Sequence, residues 1–219
     1  MPVERKQQLY LWLATLFVAA LLVADLIGGK FFRVGSVHLS VGMLGFPLTF
    51  VITDVLNEFY GSAGARRVTY LGLGAALFAF TIIQVAIALP VSGESPLSQS
   101  AFATVFGWSG RLYVASLTAY VIGQLLDIAI FGVLRRATGH RMLWLRATGS
   151  TLVSQLIDTF VVNFVFLGGT KSVPFILEVV RDSYGLKILI AVALTPLIYL
   201  LHALVVRLLG AGAESGKLT

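Results

Sequence analysis

Hydrophobic residues along this chain neither alternate nor keep to one helical stripe; they run almost unbroken, all the way round, for lengths suited to crossing a membrane. Windows of roughly 18 to 23 apolar residues carry a helix through about 30 Å of hydrocarbon. Six occur: Leu9 to Ile27, Leu39 to Leu56, Val68 to Leu89, Leu112 to Leu134, Ser150 to Leu167 and Ile188 to Val206. A membrane β-barrel would need alternation over about ten residues between turns, which these stretches lack. The pattern predicts an all-α membrane protein of six transmembrane helices, a single domain over residues 1–219. The first window follows Arg5 and Lys6 as a signal peptide would, but its apolar core is too long and no small-residue cleavage pattern follows, so it reads as a retained helix. Between windows, Pro90 to Arg111 is rich in Ser and Gly, and Pro174 to Tyr184 suits a short interfacial helix.

Composition agrees: 58% of residues are hydrophobic and 12% charged, which excludes a disordered chain and leaves no length for a sizeable soluble domain. The absence of Cys excludes disulfides, thiolate metal sites and a cysteine nucleophile. Ten of the sixteen Lys and Arg fall on one side of the windows: Arg5 and Lys6, Arg66 and Arg67, Arg135, Arg136, Arg141 and Arg146, and Arg207 and Lys217. The positive-inside rule then places both termini in the cytoplasm. The net charge of +6 is mostly this topology signal, with no basic stripe for nucleic acid.

None of the sixteen basic residues lies inside a window, yet four of the ten acidic ones do: Asp25, Asp54, Asp127 and Asp158. Each costs about 2.5 to 3.5 kcal/mol at a helix centre, so the set implies a wet cavity, partner groups or protonation. Gln124-Leu125-Leu126-Asp127 and Gln155-Leu156-Ile157-Asp158 repeat on consecutive antiparallel windows, which predicts Asp127 and Asp158 at matching depth with Asp54 near the same layer. Gln and Asp three apart share a helix face, extended one turn back by Tyr120 and Thr151. Pro47 and Pro196 each predict a local helix break, freeing the carbonyls of Met43 and Val192. Glu58 shares a face with Asp54 and is expected to act as a proton-linked gate near the cytoplasmic rim, with Arg66 and Arg67 as partners.

A pocket of these carboxyls with Gln124, Gln155 and Asn163, and no basic residue at its depth, disfavours anions and suits a ligand rich in hydrogen-bond donors. A guanine-like edge matches a carboxylate through parallel N–H groups, and Phe50, Tyr120 or Tyr199 could stack on a flat ring. A cationic amine or a proton relay fits the same residues. No metal site is expected, since His202 has no companions at ligand spacing. Gly72, Ala76 and Ala75, Ala79 form small-xxx-small faces suited to contact within the chain or in a homodimer.

FPLTFVITDVLNEFYG (46–61) with ARRV after it, SLTAYVIGQLLDIAIF (116–131), LWLRATGSTLVSQLIDT (143–159) and LKILIAVALTPLIYL (186–200) resemble, in order, the queuosine precursor transporter family, also called the vitamin uptake transporter family. The resemblance implies a six-helix protein of the bacterial inner membrane importing 7-deazaguanine precursors such as 7-cyano-7-deazaguanine and 7-aminomethyl-7-deazaguanine. The positions matching its motifs are Asp54, Glu58, Gln124, Asp127, Trp144, Arg146, Ser150, Gln155, Asp158, Lys187, Pro196 and Tyr199; Asp25 departs from it, since Asn is common there. Read by themselves, Trp144 and Arg146 sit where an aromatic belt and positive flank are expected, and Lys30 and Lys187 where interfacial anchors are.

Gly107-Trp108-Ser109-Gly110 with His202 is similar to the serine–histidine pattern of rhomboid proteases, but the rest of that pattern is missing, so no enzyme is expected. No Walker A motif occurs, so this chain hydrolyses no nucleotide; no cofactor and no partner ATPase are expected. The alternative is a substrate-binding subunit of an energy-coupling-factor importer, which would bind a vitamin-like solute without moving it alone.

Overall fold

The computed structural model describes residues 2–34, 37–107, 110–139 and 142–209. In chain order it contains α1 (Pro2–Ile27), β1 (Phe31–Val34), β2 (Val37–Ser40), a 3-10 turn (Val41–Leu44), α2 (Phe46–Ala88), α3 (Gln99–Phe106), α4 (Gly110–Ala137), α5 (Leu143–Leu167) and α6 (Val173–Leu209). α1, α2, α4, α5 and α6 are long and apolar enough to cross a membrane, so the fold is that of an all-α membrane protein.

The second window was expected to begin as helix at Leu39. Instead β1 and β2 pair antiparallel, Phe31 opposite Ser40, and helix begins only at Phe46. Ser40 stops the strand by capping the 3-10 turn, its hydroxyl accepting from the Gly42 N–H at 3.1 Å. Gly42 and Gly45 then bring the backbone against α1: an added Cβ would stand 2.9 Å from the Ala24 carbonyl oxygen and 2.8 Å from the Ala24 Cβ, respectively. Pro47 sits in the first turn of α2, where its missing N–H leaves no bond unmade, so the expected break there does not occur. Pro196 does lie inside α6.

α2 joins the second and third windows. At 43 residues it would reach about 65 Å if straight, twice the hydrocarbon thickness. It is not straight: Gly61 has φ 70 and ψ 174, a conformation essentially confined to glycine. The halves on either side run in opposite senses against α1. Gly45 meets Ala24 and the Tyr60 hydroxyl donates to the Lys6 carbonyl, so the first half descends α1. The Tyr10 hydroxyl donates to the Gly64 carbonyl and Gly72 meets Phe17 and Leu21, so the second half ascends it. α4 repeats the result: Thr53 and Asn57 bond Gln124 and Ile128 in parallel order, while Thr69 and Ala76 receive Tyr120 and Tyr113 in antiparallel order. The chain folds back at Gly61.

The first half of α2 is the centre of the molecule, with every residue from Val51 to Phe59 buried. α6 covers it through Ile198 against Val51 and Val205 against Val55 and Phe59, and α1 through Phe17 and Leu21 beside Ile52 and Leu56. Close wrapping on all sides buries the polar residues of this segment, Thr53, Asp54, Asn57 and Glu58, together with its apolar ones. Gly72 and Ala76 pack inside the chain, a Cβ on Gly72 coming 2.7 Å from the Tyr120 hydroxyl. α5 and α6 start earlier than their windows; the expected interfacial helix is the opening of α6, and Arg146 and Lys187 lie within helices.

Candidate functional site

Asp54, Gln124, Asp127 and Gln155 meet where α2, α4 and α5 pack, all at most 7% exposed. The Thr53 hydroxyl bonds the Gln124 Oε1 at 3.1 Å, fixing α2 beside α4 at this level. Asp127 faces α5: its Oδ1 accepts from Thr151 at 3.3 Å and Ser154 at 3.2 Å. Gln155 follows Ser154 on the same stretch of helix, and Asp54 lies within electrostatic range of Asp127, Glu58 and Arg146.

Polar atoms in this layer are left over. Both carboxyl oxygens of Asp54, the Oδ2 of Asp127 and the Nε2 atoms of Gln124 and Gln155 are buried without a hydrogen-bond partner, and these are all the buried side-chain atoms in that state among the described residues. A buried orphan costs about 1 to 3 kcal/mol, more when charged, and native interiors rarely tolerate several together. Three unpartnered acceptors and two unpartnered donors thus lie on α2, α4 and α5 where these helices pack.

The layer is bracketed along α5 by two ion pairs. Toward its N-terminal end Arg146, 2% exposed, grips Glu58 bidentately at 2.9 and 2.8 Å, with Arg135 at 3.9 Å from the same carboxylate. The expected partners Arg66 and Arg67 are exposed instead. Arg146 also corrects two expectations: it is a buried intrahelical cation where only a flank was expected, and it brings a basic group to the edge of the pocket. Its guanidinium is committed to Glu58, which preserves the acidic character of the layer. Toward the other end Lys187 of α6 pairs with Asp158 at 2.6 Å, so Lys187 is more than an interfacial anchor.

Asp158 is not level with Asp127. A Cβ on Gly123 would lie 3.2 Å from the Asp158 Cβ, whereas Asp127 is level with Thr151 and Ser154. Gly123 precedes Asp127 by one helical turn, so the two acids differ in depth by about 6 Å. The shared layer therefore holds Asp54 and Asp127 but not Asp158. The Asn163 side chain donates back to the Thr159 carbonyl at 2.8 Å, farther along α5. The Tyr120 hydroxyl donates to the Thr69 carbonyl at 3.0 Å, on the side of α4 that meets the second half of α2. Tyr199, 44% exposed, accepts from the Trp144 N–H at 3.3 Å at the start of α5, and Phe50 is half-buried early in α2. The His202 ring lies tilted against Phe59, with centroids 5.2 Å apart. Trp108, Ser109, Arg141 and Lys217 lie outside the described residues.

Sequence reasoning missed Thr53, Ser154 and the pairing roles of Arg146 and Lys187. One signal was present: Arg146, Ser150 and Ser154 recur at four-residue intervals, a polar stripe along one face of the helix. Among the described residues no group of three His, Asp or Glu could hold a metal ion.

Residues 40–201 match the family described as "Putative vitamin uptake transporter". A "Probable queuosine precursor transporter" of Bacillus subtilis (strain 168) is 32% identical over 195 residues, 89% of this chain and 83% of that protein. The "Queuosine precursor transporter" of Escherichia coli (strain K12) is 29% identical over 164 residues, 71% of this chain and 68% of that one. A "Probable queuosine precursor transporter" of Haemophilus influenzae is 32% identical over 127 residues, 58% of this chain and 51% of that one. No solved structure matches. Relatives and family are transporters and not enzymes. By its match to the family over most of the chain, this multi-pass membrane protein belongs to the vitamin uptake transporter family.

Proposed function

We propose that this chain is a bacterial inner-membrane importer of queuosine precursors, crossing the membrane six times with both termini in the cytoplasm. The reversal at Gly61 supports the count, since the two halves of α2 supply two crossings and the other long helices four. The printed names of the relatives supply the substrate class.

The observation that carries the site is the set of orphaned atoms on Asp54, Gln124, Asp127 and Gln155. A 7-deazaguanine offers the complement: ring and exocyclic N–H donors for the carboxyl oxygens, and a ring carbonyl for an amide N–H. The carboxyls repel phosphorylated compounds, so the free base is favoured over a nucleotide. Phe50, Tyr120, Asp158, Asn163 and Tyr199 complete the proposed binding set only if the helices rearrange around cargo, and Glu58 serves as a gate through its pair with Arg146.

Purified protein in liposomes without any ATPase is expected to exchange labelled 7-cyano-7-deazaguanine or 7-aminomethyl-7-deazaguanine across the bilayer. Asp54→Asn and Asp127→Asn should abolish exchange in protein that still reaches the membrane. Binding without exchange would point to the energy-coupling-factor subunit, and full activity in both variants would remove these acids from the site.

A further inference from the structure

Resting on that transport reading, we infer that Asp25 is a proton-binding site that couples substrate movement to a pH gradient. Asp25 lies outside the orphan-atom layer. It lines a cleft between α1, the second half of α2, α3 and α4, among Leu22, Leu26, Phe80, Ile83 and Phe106, with Tyr113 as the polar neighbour.

The other membrane acids have partners or belong to the pocket. Glu58 holds Arg146 and Arg135, Asp158 holds Lys187, Asp127 accepts from two hydroxyls, and Asp54 lies within range of Arg146. The Asp25 side chain has neither a hydrogen bond nor an ion pair among the described residues. What faces it from α2 and α3 is apolar, and the ionisable groups facing it from α4 are the hydroxyls of Tyr113 and Tyr120. Both are spoken for: Tyr113 donates to the Ala76 carbonyl and Tyr120 to the Thr69 carbonyl. A carboxylate in apolar lining without countercharge is costly, and a proton removes that cost. A metal cation does not fit, because hard cations gather about six oxygens and this cleft offers one carboxyl.

The same helix reaches both places. Tyr113, Tyr120, Gln124 and Asp127 are spaced seven, four and three apart on α4, one continuous stripe from the Asp25 cleft to the pocket. A change of charge at Asp25 therefore acts on the helix that carries Gln124 and Asp127. In the proposed topology α1 runs outward, so Asp25, near its C-terminal end, is reached from the outer side, where import takes up its proton.

The test uses the full chain in proteoliposomes with labelled 7-cyano-7-deazaguanine, reading exchange without a gradient, accumulation under an imposed pH gradient, and proton entry with a trapped dye. Wild type is expected to exchange, to accumulate substrate down the proton gradient and to admit protons when substrate is added. Asp25→Asn is expected to keep exchange and lose the other two, and Asp25→Glu to recover both in part. Gradient-driven accumulation by Asp25→Asn equal to wild type overturns the inference, as does a wild type that exchanges yet ignores the pH gradient. Loss of exchange in both the Asn and Glu variants makes Asp25 structural and also overturns it. A wild type that exchanges nothing defeats the transport reading itself.

Discussion

Removing one member of the Glu58–Arg146 pair is expected to cost more than removing both. Glu58→Gln leaves a guanidinium at 2% exposure, with Arg135 close by, facing a neutral amide. The loss should be about 3 to 5 kcal/mol, read as a lower melting temperature of the detergent-solubilised protein, and Glu58→Met with Arg146→Met should recover most of it. The buried acids and amides were legible in the sequence because a polar side chain inside an apolar run needs a reason. Their partners were less so. Arg146 was hidden by the positive-inside rule, which accounts for any Arg beside a helix end, and Lys187 stood one residue before its window. Ser154 gave no warning beyond its spacing from Arg146 and Ser150, since a serine can satisfy itself on its own helix, as it does here with the Thr151 carbonyl at 3.1 Å.

The Gly61 reversal makes a separate prediction. No atom lies within 4 Å of an added Cβ there, so Gly61→Ala should be destabilising through the backbone alone. About 1 to 3 kcal/mol is expected, measurable as a lower melting temperature, and other small side chains should fare no better. The windows located all five of the helices that are long and apolar enough to cross a membrane, two windows going to α2, because hydrophobic length is a property of local sequence. Their ends were missed where local and tertiary signals compete. β1 and β2 are short and merge into an apolar run, so only the Ser40 cap and the contacts of Gly42 and Gly45 with α1 say where α2 begins. The matching depth of Asp127 and Asp158 failed because α5 begins at Leu143 and not at Ser150, which carries Asp158 farther than Asp127 from the end the two helices share. Packing sets their offset, through the Gly123 notch that receives Asp158.

For the molecule as a whole, the lack of native Cys makes topology directly measurable. Glu94→Cys should react with a membrane-impermeant maleimide in intact cells, while Arg66→Cys and Arg136→Cys should react only after permeabilisation. Labelling of Arg66→Cys from outside would refute the fold-back at Gly61 as a second and third crossing. α5 is the common post of this architecture. Arg146 ties it to α2, and three turns on, about 18 Å along the axis, Asp158 ties it to α6. The two fastenings involve different neighbours, so either can part while the other stays shut. Breaking either pair alone should therefore leave α5 anchored to its other neighbour, and only the loss of both sets the helix loose.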